Sequence, residues 1–97
     1  MIRVMIEQHC QPGKEVQFRD LMIELRDKAM RQRGYISGET LRDLINPLHF
    51  KIISTWSTLK DWKTWQGSLQ RMVIEEKMEP VTNNGRKVHI FTVDYIK

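Results

Sequence analysis

HFKIISTWSTLKDWKTW, residues His49 to Trp65, passes from one kind of backbone to another within a few positions. His49 to Trp56 is rich in β-branched and aromatic residues and reads as a strand. Thr58-Leu59-Lys60-Asp61 then fits the capping-box signature, in which a hydroxyl and a carboxylate satisfy the free amides of a helix start. Past it, Trp62, Trp65, Leu69 and Met72 share one helical face. Gly67-Ser68 interrupts that face and divides it into two short helices, the second running to about Glu79 before Pro80. On the upstream side lies a polar turn, Arg42 to Pro47, holding Asp43, Asn46 and Pro47. Before that turn, Tyr35 to Leu41 reads as another strand, so the two strands form a hairpin with a long loop.

The ends of the chain complete the plan. Ile2, Val4 and Ile6 alternate with Arg3, Met5 and Glu7, the period of a first strand, which Gln11-Pro12-Gly13 breaks. Phe18, Leu21, Met22, Leu25 and Ala29 recur at helical spacing, predicting a helix from about Lys14 to Gln32 that stops before Gly34. Downstream, Asn83-Asn84-Gly85 reads as a loop, and Val88 to Ile96 as the last strand, with Ile90 on one face and Phe91, Val93 and Tyr95 on the other. The order is βαββαβ, the α+β ferredoxin-like plan, an antiparallel sheet with helices on one face, in a single domain over residues 1–97. Helices on one side leave the other sheet face open. The expected cover is a second copy of the chain, making a homodimer with Phe91, Val93 and Tyr95 at its interface.

Composition narrows the setting. Sixteen Lys and Arg stand against twelve Asp and Glu, a net charge of +4, and the charges are interleaved along the first helix rather than gathered on one face. Nucleic acid is therefore not an expected partner, and the third strand lacks the Gly-Phe aromatic motif an RNA-recognition domain would carry there. A lone cysteine, Cys10, forms no intramolecular disulfide and suits a reducing, cytoplasmic compartment. No signal-peptide core is present, and no apolar run is long enough to span a membrane.

Several residues carry candidate chemistry. Glu7 and His9 lie two apart on one strand face, so a carboxylate–imidazole pair there is a candidate general base; such neighbours are also common on solvated strands. Trp65 offers a large apolar face and one N–H donor to a flat aromatic ligand, whereas Trp62, Trp65 and Leu69 equally suit a helix core stripe. His9, His49 and His89 lack the close spacing of metal ligands, and Cys10 has only His9 nearby to activate it, so neither a metal site nor a reactive thiol is expected. The six methionines, Met22 and Met72 among them, suit core gaps.

Gly34-Tyr35-Ile36-Ser37-Gly38-Glu39, then Ile53-Ser54-Thr55-Trp56-Ser57, then Asp61-Trp62-Lys63-Thr64-Trp65 together resemble the antibiotic-biosynthesis-monooxygenase domains, over nearly the whole chain. The resemblance implies a dimeric α/β barrel with a pocket between sheet and helices in each subunit. Cofactor-independent oxygenases of aromatic polyketides or quinols, haem-degrading enzymes and proteins without a known reaction share this domain. It implies an oxidoreductase, monooxygenase-like, with a small aromatic or quinol-type compound bound among Ile6, Met22, Trp62 and Trp65 and no metal cofactor. The alternative is a non-catalytic binding dimer of the same fold. In the haem-degrading branch an iron-ligating His stands where this chain has Glu75, and a first-strand Asn where it has Ile6 or Glu7. Haem is therefore the less expected cofactor, though Trp65 matches that branch.

Overall fold

A computed structural model describes residues 1–96. Its elements are β1 (Ile2–Cys10), α1 (Glu15–Met30), β2 (Tyr35–Arg42), β3 (His49–Trp56), α2 (Leu59–Gln66), α3 (Leu69–Met78), a 3-10 turn (Glu79–Val81) and β4 (Thr82–Thr92). The sheet order is β2-β3-β1-β4 with every pair antiparallel. This is the ferredoxin-like βαββαβ arrangement, with the helices on one face of the sheet.

Local chemistry sets the element ends. The Thr58 hydroxyl accepts from the Asp61 backbone N–H at 3.1 Å to open α2, and the Ser68 hydroxyl accepts from Arg71 N–H at 3.2 Å to open α3. Each cap satisfies one amide that the first helical turn leaves unpaired, which is why Gly67-Ser68 divides the helical stretch. The β2–β3 loop is tied by Asp43, whose Oδ1 accepts from the N–H groups of Ile45 (2.8 Å) and Asn46 (3.1 Å).

The last strand differs from its expected bounds. β4 begins at Thr82, not Val88, and takes in the Asn83-Asn84-Gly85 segment; it ends at Thr92, not Ile96. Its polar first half is held by β1, where His9 faces Asn83 and Cys10 faces Thr82 across a register irregularity. Its end is set by the same partner: Thr92 faces Ile2, the first residue of β1, so the ladder runs out there. Val93 and Tyr95 therefore lie past the strand, and the face assignment made for them on strand alternation does not hold; only Phe91 of that set is in the sheet.

Alternation along β1 separates two environments. Val4, Gln8 and Cys10 are buried beneath the helices, and Ile6 packs with them. Two core clusters result. One joins Cys10, Phe18, Met22, Phe50, Met78 and Val81; the other joins Val4, Ala29, Trp56, Trp62 and Trp65, and Leu25 packs against both. Trp56 is 1 % exposed and meets the Tyr35 ring edge-on at 5.4 Å. Burying a large apolar side chain of this kind contributes roughly 1.5–3 kcal/mol. The opposite face presents Arg3, Met5, Glu7 and His9 of β1 beside Lys51 and Ile53 of β3 and Phe91 of β4.

Candidate active-site cleft

Between the helices and the sheet runs a cleft with two adjoining lobes. The inner lobe, about 60 Å³, is lined by Ile6, Met22, Trp62 and Trp65 together with Tyr35, Trp56 and polar groups from α2, α3 and β4. The outer lobe, about 360 Å³, lies between α1 and the β2–β3 strands; Met22 and Arg26 line both. All four residues expected to line a pocket thus meet around one space. Trp62 and Trp65 are 7 % and 6 % exposed, so each serves core and cavity wall at once. Helical spacing made that double role hard to see, because a core stripe and a pocket wall have the same period.

The polar side of the inner lobe was not apparent from the sequence. Arg71 is 8 % exposed; its Nη1 donates to the Gln66 carbonyl at 3.0 Å and its Nη2 lies 3.4 Å from Glu75 Oε1. Arg86, brought in by β4, reaches the same Glu75 oxygen at 3.5 Å. Burial, and then the like charge of Arg86, lowers the Arg71 pKa from its usual value, while Glu75 opposes the shift; an arginine so high in the basic range stays charged. The cluster carries one net positive charge against an aromatic wall. Beside it, Gln66 Oε1 is buried with no hydrogen-bond partner among the described residues, an acceptor whose desolvation they leave uncompensated. The signal for the cluster was the i, i+4 pair Arg71–Glu75 on a helix; nothing local pointed to Arg86.

The other expected site residues lie across the sheet. Glu7 and His9 are on the face away from the cleft, so they do not converge with Trp65, and the expected base pair is corrected on this point. Glu7 pairs instead with His49, whose Nε2 is 2.9 Å from Glu7 Oε1 and whose Nδ1 is 3.3 Å from Asp43 Oδ2. His9 stacks on the His49 ring at 4.5 Å. The hydrogen bond to His49 holds the Glu7 carboxyl below its ordinary range, and the backbone N–H groups of Asn46 and Ile45 do the same for Asp43. Cys10 is fully buried, its thiol pushed up by burial, and unsuited to attack. Among the described residues no cluster of three metal-ligating side chains occurs.

The residues present do not suit a haem ligated through imidazole. His9, His49 and His89 all lie outside the lining of both lobes, Glu75 is engaged by two guanidinium groups, and the inner lobe is far smaller than a macrocycle.

A ferredoxin-like sheet with an aromatic-walled cleft under its helices defines an α+β domain of one layer on another. The family model for antibiotic biosynthesis monooxygenases matches residues 1–73, and the chain belongs to that family. No curated protein sequence matches it. Among solved structures, a protein of Nitrosomonas europaea provisionally described as an antibiotic biosynthesis monooxygenase is similar with a TM-score of 0.88 at 16% identity, covering 98% of this chain and 100% of that one. A conserved protein of Methanosarcina mazei Go1 gives 0.87 at 19% identity, covering 93% and 89%. SnoaB of Streptomyces nogalater, a cofactor-independent oxygenase, gives 0.85 at 12% identity, covering 98% and 95%. At these identities the likeness carries the fold. No helix among the described residues is long and apolar enough to cross a membrane.

Proposed function

We propose that the chain is a small monooxygenase that oxidises an aromatic, quinol-type compound in the cleft, using dioxygen and no metal or flavin. One observation carries this: a wall of indole and phenol rings meets an unpartnered buried acceptor, Gln66, and the Arg71–Glu75–Arg86 cluster. The ring would lie through both lobes with Met22, a flexible side chain, yielding between them. Gln66 Oε1 would accept from a ring hydroxyl. Glu75, the only carboxylate lining either lobe among the described residues, would take the proton of the ring's other hydroxyl. Arg71 and Arg86 would then stabilise the resulting anion, in the manner of preorganised donors at a developing charge. The electron-rich anion reduces dioxygen. One oxygen atom ends on the ring carbon as a carbonyl and the other leaves as water, the four electrons coming from the substrate. That SnoaB is a cofactor-independent oxygenase supports the absence of a cofactor from this scheme.

The functional unit is, in the same proposal, a homodimer of one-domain subunits in the cytoplasm. Its support is the open sheet face, where Phe91 and Leu41 are 50% and 47% exposed. A second reading, a non-catalytic binding dimer, is favoured by the position of Glu7 and His9 across the sheet from the cleft. Oxygen uptake with a panel of quinols separates the two. Turnover above autoxidation that falls in Glu75→Gln and Trp65→Phe supports the enzyme. Unchanged binding and turnover in Trp65→Phe would leave Trp65 as core alone, and uptake no faster than the protein-free control would leave the binder. Light scattering at micromolar concentration tests the dimer, and a monomer there refutes it.

A further inference from the structure

The outer lobe has a character that the oxidation scheme does not use. Its apolar walls are Phe18, Met22, Ile23 and Phe50, with the two phenyl rings 4.7 Å apart at 37°. Its polar rim is three arginines, Arg19 and Arg26 of α1 and Arg42 at the end of β2. Arg19 and Arg26 are seven positions apart and so share a helix face. Arg26 is fixed across the lobe by its Nη2, which donates to Thr40 Oγ1 at 2.7 Å. Among the described residues no carboxylate lines this lobe and none of the three arginines has an acidic partner within 4.0 Å. Arg31, Arg71 and Arg86, by contrast, each have one. The neighbouring acid, Asp43, is engaged by His49.

Three unneutralised guanidinium groups around one apolar cleft repel one another, and most of their donors remain free, since each carries five. We propose that the outer lobe binds the oxyanion, carboxylate or phosphate, of an aromatic acid whose ring reaches toward the inner lobe. The planar fork of arginine matches either group in two-point contact. The placement of the ring rests on the oxygenase reading above; recognition of the oxyanion by the three arginines does not.

Calorimetric titration of the purified protein with 2-naphthoate, 2-naphthyl phosphate and neutral 2-naphthamide tests this. At least one of the acids is expected to bind about tenfold more tightly than the amide, the scale of one charge-assisted hydrogen bond, and whichever acid binds more tightly identifies the oxyanion. The preference should shrink in 0.5 M salt and vanish in Arg26→Gln and in Arg42→Gln. Arg33→Gln, which removes the same charge from outside the lobe, should keep it. Equal binding of acids and amide, or a preference that survives both cleft variants, overturns the oxyanion site while leaving the aromatic cleft intact. Failure of all three compounds to bind overturns both.

Discussion

Gly34→Ala should destabilise the protein well beyond the usual cost of a surface substitution, and the structure separates two reasons. Gly34 has φ of +85° where the chain leaves α1 for β2. An L-residue held in this left-handed region costs roughly 1–2 kcal/mol. A Cβ at this position would also stand 2.5 Å from Asp61 Cβ, which sits in α2 and cannot swing aside as a side-chain tip would. Relief requires α2, with Trp62 and Trp65, to shift, at an overpacking cost of about 1–3 kcal/mol. The Gly34 carbonyl accepts from Ser57 N–H at 2.7 Å, which keeps the loop from retreating. The sum is about 2–5 kcal/mol. At roughly 4–8 °C per kcal/mol for a chain of this size, Tm should fall by about 10 °C or more. Circular dichroism melts of wild type, Gly34→Ala, Asp61→Gly and the double variant close a cycle. Removing the Asp61 Cβ should recover the steric part, about 1–3 kcal/mol, and leave the backbone part. A Tm drop under about 3 °C in Gly34→Ala, or the same drop in both backgrounds, would show that α2 does not lock this turn.

Two further outcomes follow from the same geometry. Glu7 is held below its usual 4.5, chiefly by the hydrogen bond from His49, and Asp43 below its usual 3.8, chiefly by backbone N–H groups. The unfolded chain therefore takes up these protons first as pH falls. Their stabilisation is complete above the ordinary carboxylate values and is lost as pH drops through the lower folded ones, so stability rises with pH across that acid window. Urea midpoints measured from pH 6 down to 3 should decline less steeply in Glu7→Gln than in wild type, and identical profiles would remove the Glu7–His49 contribution. Haemin titration should give no saturable Soret shift, because His9, His49 and His89 lie outside the cleft; a saturable shift followed by bleaching with ascorbate in air would overturn that reading.

Short-range signals carried most of the fold. The spacing of Phe18, Met22, Leu25 and Ala29 needs only the helical period to place them on one face, and Thr58 and Ser68 cap helices through amides three residues away. Such interactions are complete within a few positions, so they are legible before anything folds. β4 shows the opposite case. Asn83-Asn84-Gly85 has turn composition, and Val93, Tyr95 and Ile96 continue an apolar pattern, yet the strand includes the first segment and ends before the second. The deciding partner is β1, more than seventy positions away, whose length fixes where hydrogen bonds begin and end.

The candidate site divides along the same line. The sequence by itself determined that Ile6, Met22, Trp62 and Trp65 would turn inward, since each lies on the apolar face of its own element. Only the tertiary structure decided that they surround one cleft, that Arg86 joins Arg71 and Glu75 there, and that Arg42 joins Arg19 and Arg26. The physical reason is that facing depends on periodicity within an element. Convergence depends instead on how separate elements pack, and charges from α1, α3, β2 and β4 become neighbours only once the sheet order β2-β3-β1-β4 is closed.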